Sequence, residues 1–343
     1  MTAVVPDSAA IEGAARALER GELVAFPTET VYGLGADAEN PAAVAKIYAA
    51  KGRPSNHPVI VHVAPGADLA YWAAEIPSEA RQLVDAFWPG PLTLILKRAP
   101  QIPDAVSGGQ DSIGVRCPSH PVAQVLLRAF KGGKGGVAAP SANRFGHVSP
   151  TAAQHVRDEF GTGAGSPLAA ILDGGASQVG IESTILDLSR MQTHGPVLLR
   201  PGHIAAADIA AVIGRMPSVP DASAPRASGT LEAHYAPRTP VALVDAPNVA
   251  ATLAALQARD CRAAFIACGG SAAVPSIPHI VLPSEPAGYA HGLYAALRSM
   301  DTVDAAVILV ETPPVDGAWL GVNDRLRRAA HDSRGVLGRL LAD

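Results

Sequence analysis

The sequence predicts an α/β protein in two parts. The larger first part is built on a mixed, twisted sheet with helices, and a linker joins it to a smaller second part with regular strand–helix alternation. Three observations carry this. Apolar β-branched runs alternate with Ala-rich helical stretches along the 343-residue chain, the pattern of strands and helices packed in layers. In the first part several strands follow one another with no helix between them, which calls for a mixed sheet. The length suits about two domains, and the alternation breaks once, between residues 214 and 240.

In order, the first part (residues 1–213) reads as strands at Leu23–Phe26, Val59–Val63, Leu92–Lys97, Ser112–Arg116, Gly136–Ala139, Ala170–Leu172, Ser183–Leu188 and Val197–Arg200. Helices read at Ser8–Arg20, Pro41–Lys51, Ser78–Phe87, Pro121–Phe130, Thr151–Glu159 and Ala205–Ile213. The best-marked helix has Asn40 as N-cap, Pro41 at its first position, Gly52 just past its end, and an apolar face of Val44, Ile47 and Tyr48. Residues 214–240 carry no periodicity and several prolines, and read as an interdomain linker. In the second part (241–343), strands at Val241–Val244, Ala263–Ala267, Ile280–Leu282 and Ala305–Val310 alternate with helices at Asn248–Ala258, Pro286–Met300 and Val322–Ala330. This is a small Rossmann-like unit. It has no G-x-G-x-x-G after its first strand, so nucleotide binding there is not supported.

Composition excludes several classes. The apolar fraction is 48% and the formal net charge only −4, against the low hydrophobicity and high charge of disordered chains. No run approaches 18 apolar residues, so no spanning helix and no membrane partner is expected. The first seven residues show neither a basic region nor a long apolar run, so no secretory leader is expected. Three cysteines without a CxxC argue against a disulfide framework or a zinc knuckle. A reducing, cytoplasmic setting follows as the expectation. Gly (33) and Pro (30) together make about 18% of the chain, against roughly 12% on average.

Most catalytic signatures are missing: there is no HExxH, G-x-S-x-G or calcium loop. Lys131-Gly-Gly-Lys-Gly-Gly136 lacks phosphate-loop spacing and reads as a turn after a helix. His57 and His62 fall on opposite faces of a strand, which argues against a shared metal. What remains is a set of polar residues at element ends. Lys51 and Arg53 lie in Lys51-Gly-Arg-Pro-Ser-Asn-His-Pro58, a constrained turn. They either complement the helix dipole or, held rigidly, meet an anionic ligand. Ser141 and Asn143 follow a strand of small residues at its carboxyl end, where open α/β sheets bind ligands, although Ser and Asn also favour plain turns. In Ser112-Ile-Gly-Val-Arg-Cys-Pro118, alternation puts Ser112 and Arg116 on one face. Ser183 opens one strand and Arg200 ends the next. The arginines need an anionic partner, from protein or ligand. Should Lys51, Arg53, Arg116 and Arg200 converge, a triphosphate plus a carboxylate is the obvious ligand.

These residues stand in a recognisable order. Phe26-Pro-Thr-Glu-Thr-Val-Tyr-Gly-Leu-Gly35, Lys51-Gly-Arg-Pro54, His57-Pro58, Trp88-Pro-Gly-Pro-Leu-Thr93, Ala139-Pro-Ser-Ala-Asn143, Asp173-Gly-Gly175, Glu182-Ser-Thr184 and Leu199-Arg-Pro-Gly202 follow one another as in the YrdC-type domain. The match covers residues 10–210. With the linker, His234-Tyr-Ala-Pro237 and the second part, the chain resembles the long, two-domain form of the L-threonylcarbamoyladenylate synthases. That resemblance implies a nucleotidyltransferase that makes threonylcarbamoyl-AMP and pyrophosphate from L-threonine, bicarbonate and ATP, with Mg²⁺ accompanying the nucleotide and no metal held by the protein. The product serves threonylcarbamoyl transferase proteins that modify adenosine 37 of tRNA, with tRNA itself bound at most transiently. It also implies catalytic roles for Lys51 and Arg53. ATP contacts would come from Arg53, His57, Ser112, Ser141, Asn143, Ser149, Arg200 and His234. Threonine contacts would come from Thr30, His62, Arg116, Ala139 (through its backbone) and Ser183.

One departure stands out. Relatives often read S-P-G-M-[KR]-Y-[KR]-H-Y-A-P where this chain has Ala227-Ser-Gly-Thr-Leu-Glu-Ala-His-Tyr-Ala-Pro237, with Leu231 and Ala233 in place of basic residues. The expectation is a loop that closes over the nucleotide while contributing less charge. Two other readings are open. One is a non-catalytic module of this type that holds RNA or tRNA, against which acidity and the lack of Lys/Arg runs count. The other is carbamoyl transfer from carbamoyl phosphate, as in related domains of hydrogenase-maturation proteins, whose acylphosphatase and zinc-finger segments are absent here.

Overall fold

The computed structural model describes residues 6–270 and 277–342. The first five residues, part of the stretch read as carrying no leader, lie outside the described residues, as does residue 343. Contacts divide the chain into two units, one of residues 1–145 and 149–230, the other of 146–148 and 231–343. Among the described residues no helix is long and apolar enough to cross a membrane.

In the first unit ten strands form one sheet: β1 (Leu23–Phe26), β2 (Gly33–Asp37), β3 (Ile60–Val63), β4 (Ala73–Glu75), β5 (Leu92–Arg98), β6 (Ser112–Arg116), β7 (Gly136–Ala138), β8 (Leu168–Ile171), β9 (Thr184–Asp187) and β10 (Val197–Arg200). Their order is β10-β9-β5-β6-β3-β7-β2-β1-β8, with β4 paired to β5. The β1–β8, β3–β6 and β5–β9 pairs are parallel and the others antiparallel. The sheet is therefore mixed.

Alternation covers both faces of this sheet. In β1, Leu23 and Ala25 join a core with Val44, Ile47 and Val156, while Val24 and Phe26 join one with Ile11, Leu18 and Leu126. The second core is closed by α1 (Ser8–Glu19), N-capped by Asp7, and by the helix Pro121–Ala129. The first is closed by α2 (Pro41–Lys51), whose caps are those expected. The Asn40 side chain accepts from the N–H groups of Ala42 and Ala43, and Gly52 ends the helix at φ +63°.

Two strands were not expected. β2 contains Gly33 and Gly35, poor strand formers, yet a Cβ on Gly35 would meet Phe26 and Val137 side-chain carbons at 2.9 Å. Close packing demands glycine there and erases the strand signal. β4 spans only Ala73–Glu75. The Lys131-Gly-Gly-Lys-Gly-Gly136 tract follows the helix as a tight 3₁₀ segment (Phe130–Gly133) that leads into β7 at Gly136, and Lys131 is tied by Nζ to Asp37 at 2.7 Å and Glu39 at 3.0 Å.

The linker reading shifts. Through Thr230 the segment belongs to the first unit. Ser218 exchanges backbone bonds with the β10 edge, Leu198 N–H to Ser218 O and Ser218 N–H to Pro196 O, both 2.9 Å. Ala224 and Ala227 pack on Ile60, Ile95, Ile185 and Leu199. Prolines deny the segment periodicity, but it still covers an edge strand and an apolar face.

In the second unit β11 (Val241–Val244), β12 (Ala263–Cys268), β13 (His279–Leu282) and β14 (Val307–Glu311) form an all-parallel sheet of order β11-β14-β12-β13. The last strand enters between the first two. The helix Pro286–Met300 was expected, but the closing helix Ser333–Leu341 was not. Gly335 and Gly338 depress its propensity, while Val336 packs against Leu253, Leu256 and Leu309.

Candidate active site

α2 delivers the first cation. Lys51 ends the helix, 3% exposed. Its Nζ donates to the main-chain carbonyls of Ser141 (2.6 Å) and Asn143 (2.5 Å), and its own carbonyl accepts from Phe145 N–H at 2.8 Å. The helix end and the Ser141–Phe145 turn are thus stapled together. Burial first, and Arg53 second, push the Lys51 amine well below the usual lysine range, while Glu159 and Glu182 oppose the shift. Its Nζ is met by carbonyl dipoles and, among the described residues, by no directly paired carboxylate.

Two further cations reach one residue. Arg53 donates through Nη2 to the Pro58 carbonyl at 2.7 Å and reaches Ser228 Oγ at 3.5 Å. Arg200, at the end of β10, donates through Nη1 to the Ser228 carbonyl at 2.7 Å and through Nε and Nη2 to the Ser183 carbonyl at 3.1 and 2.9 Å. Ser183 Oγ lies 3.2 Å from Arg200 Nη2 and 2.8 Å from Thr93 Oγ1. His57 stands edge-on to Phe145 at 5.6 Å. Burial first, then Arg53 and Arg226, lower its pKa.

The fourth cation is different. Arg116, at the end of β6, is 3% exposed and ion-paired with Glu29 at 2.5 Å. It also donates to Thr30 Oγ1 at 2.9 Å and to the Gly90 carbonyl at 3.2 Å. Glu29 accepts a second bond from Ser119 N–H at 3.0 Å. His62 is the cross-strand partner of Arg116 on β3 and lies edge-on to Phe26 at 6.1 Å. Burial first, then Arg116, push it down to about 3, so the ring is neutral. The Ala139 N–H is spent on the Ile60 carbonyl at 2.9 Å, which leaves its own carbonyl as the backbone group to meet a ligand.

Among the other expected site residues, Ser112 opens β6 and is buried. Ser149 is fully buried and donates to Glu182 Oε1 at 2.5 Å. Asn143 is buried, with its side-chain amide on the Arg144 carbonyl at 2.8 Å. His234 belongs to the second unit, its ring packed on Tyr235 at 4.1 Å. Sequence reasoning missed Glu29, Thr93, Glu182 and Ser228. The signal for the two acids was available, since each is a lone carboxylate amid Ser and Thr inside an otherwise apolar motif. Among the described residues no group of three or more His, Cys, Asp or Glu is arranged to hold a metal ion.

The chemistry of the first unit is therefore divided. One zone is an Arg116–Glu29 pair framed by hydroxyls and a neutral imidazole, suited to a zwitterion. The other carries Lys51, Arg53 and Arg200, suited to a polyanion.

Residues 16–202 match a family described as "Telomere recombination", and residues 204–331 match the "Threonylcarbamoyl-AMP synthase, C-terminal domain" family. The chain is 39% identical over 331 residues to the threonylcarbamoyl-AMP synthase of Pyrococcus abyssi, covering 92% of this chain and 93% of that one. It is 40% identical over 335 residues to the Bacillus subtilis enzyme of the same name, covering 93% and 92%. The crystal structure of P. abyssi Sua5 complexed with L-threonine superposes with a TM-score of 0.86 at 37% identity over 94% of each chain. Fold, motif order and similarity along nearly the whole length agree, and the chain belongs to the threonylcarbamoyl-AMP synthase family.

Proposed function

We infer that the first unit makes threonylcarbamoyl-AMP from L-threonine, bicarbonate and ATP, and that the two zones divide the substrates. The observation that carries this is Lys51, a buried ammonium held by two carbonyls. A cation in that setting favours an anionic ligand, because the ligand repays a desolvation cost already incurred.

In this reading threonine lies at Arg116, Thr30, His62, Ser183 and the Ala139 carbonyl. The crystal structure of the P. abyssi relative holds L-threonine, which supports threonine as a substrate. Two N–H groups of Arg116 beyond its three bonds face the amino-acid carboxylate, and Glu29 keeps the guanidinium in plane. The threonine amine and bicarbonate condense to a carbamate with loss of water. A carbamate oxygen then attacks the α-phosphorus and pyrophosphate leaves. Lys51 and Arg53 are the catalytic residues, neutralising charge as it moves onto the leaving group. Arg200, His57, Ser112, Ser141, Asn143, Ser149 and His234 would bind the nucleotide. Mg²⁺ would come with the triphosphate and would supply further charge neutralisation there. Ser228 and its neighbours, anchored by Arg53 and Arg200, begin the 227–237 loop that would exclude water. The labile product would pass to threonylcarbamoyl transferase proteins acting on tRNA.

The test is pyrophosphate release from the purified protein, strictly dependent on threonine, bicarbonate and ATP together. A salt-dependent tRNA shift with no ATP consumption would instead establish an RNA-binding module. Deleting residues 227–237 should abolish product formation, and an undiminished rate would remove the loop from the mechanism.

A further inference from the structure

The helix Leu320–Ala329 of the second unit carries four charged residues that no step above uses: Asp324, Arg325, Arg327 and Arg328. Asp324, 8% exposed, gathers all three guanidiniums. Its Oδ1 accepts from Nη2 of Arg327 at 3.0 Å and of Arg328 at 2.9 Å. Its Oδ2 accepts from Arg328 Nε at 3.0 Å and Arg325 Nη1 at 3.1 Å. Arg328 thereby grips Asp324 through two side-by-side bonds, which fixes the plane of its fork. Burying Arg325 and Arg328 around one carboxylate is costly in stability alone.

Both arginines end on one segment. Arg328 Nη1 donates to the Leu231 carbonyl, and the Arg328 main-chain carbonyl accepts from His234 N–H at 3.4 Å. The Arg325 guanidinium lies 5.5 Å from the centre of the Tyr235 ring, within cation–π range. Tyr235 has φ +61°, a left-handed conformation that a bulky residue adopts only under outside constraint. The His234 ring packs on that tyrosine at 4.1 Å, and Ala236 N–H is bound by the Gly146 carbonyl at 2.9 Å.

We propose that Asp324 is a positioning residue for the synthase reaction: it locks Arg325 and Arg328 into a clamp that holds Tyr235 left-handed and so fixes the direction of His234. This rests on the reading that His234 meets ATP. It gives the second unit a task, that of setting the shape of a segment whose own basic residues have become Leu231 and Ala233.

The experiment uses the full chain with Asp324→Asn, His234→Ala and the double variant. Asp324→Asn should raise the KM for ATP about tenfold and leave the KM for threonine unchanged. In the His234→Ala background it should add nothing, because its effect passes through that histidine. Amide exchange at His234 and Ala236 should quicken in Asp324→Asn while Leu198 in the first unit keeps its protection. An unchanged KM for ATP, losses that multiply in the double variant, or unchanged exchange at His234 would each overturn the clamp. Should Asp324→Asn unfold the second unit, Arg328→Lys keeps the charge and loses the fork, and it must show the same pattern at smaller size. Absence of pyrophosphate release from the unsubstituted protein would defeat the functional reading, and the exchange measurement would still decide whether the clamp exists.

Discussion

Lys51 shows how a single side chain can be stabilised and still remain available for chemistry. Its amine is oriented by two carbonyls that carry no net charge, so it is fixed in place without a paired carboxylate among the described residues. Lys51→Ala and Arg53→Ala should each lower threonylcarbamoyl-AMP formation by about 10²-fold or more, the scale of removing one preorganised electrostatic group. Rates near those of the unsubstituted enzyme would show that the charge-neutralising site lies elsewhere. His62 gives a second test. Its folded pKa, about 3, lies below the ordinary histidine value of 6.5 because burial and Arg116 disfavour its charged form. Between those values the unfolded chain binds a proton that the folded chain does not. Stability is therefore lost as pH falls from 6.5 toward 3, by about 1.4 kcal/mol per pH unit from this group. Urea midpoints measured at pH 7 and pH 5 should drop less in His62→Gln than in the parent. Equal drops would mean that His62 is not held neutral.

At the level of the element, the site is made by strand ends and the turns that follow them, and glycine sets how closely those turns approach. After β10 the chain runs Arg200-Pro201-Gly202, and a Cβ on Gly202 would lie 2.4 Å from Thr184 N and 2.8 Å from the Glu182 carbonyl. Gly202→Ala must push the β10 turn away from the start of β9, moving Arg200 off Ser183. The expected cost is about 1–3 kcal/mol with a larger loss in product formation, read by urea unfolding and pyrophosphate release. Full activity in this variant would mean that the Arg200–Ser183 contact is not needed. The same close packing explains what could be read from sequence. Strongly apolar strands and the capped helix α2 were visible because pattern and end signals agree. β2 was not, since Gly33 answers to Ala139 and Phe26 and Gly35 to Phe26 and Val137 across the sheet, not to local propensity. The cations were visible as charges beside Gly and Pro. Their pairings with Glu29 and Ser228 were not, because those contacts join residues 87 and 175 positions apart.

At the scale of the whole molecule, the boundary between units is set by where the Pro-rich segment finds partners, not by where helical periodicity stops. Periodicity ends near Ile213, but the first unit runs on to Thr230. Residues beyond 213 complete it in three ways. Ser218 pairs the outer edge of β10, Ala224 and Ala227 cover Ile60, Ile95, Ile185 and Leu199, and Arg226 N–H and carbonyl bond the Gln110 side chain at 2.7 and 3.1 Å. A chain ending after Thr230 should therefore unfold in one cooperative step and protect the Leu198 amide from exchange. A chain ending after Ile213 should leave that edge open and the apolar patch bare, with a lower melting temperature and a tendency to self-associate. Matching melting curves and matching Leu198 protection in the two chains would show that residues 214–230 are a passive tether. The difference should extend to nucleotide binding, because Ser228, which Arg53 and Arg200 both contact, is present only in the longer chain.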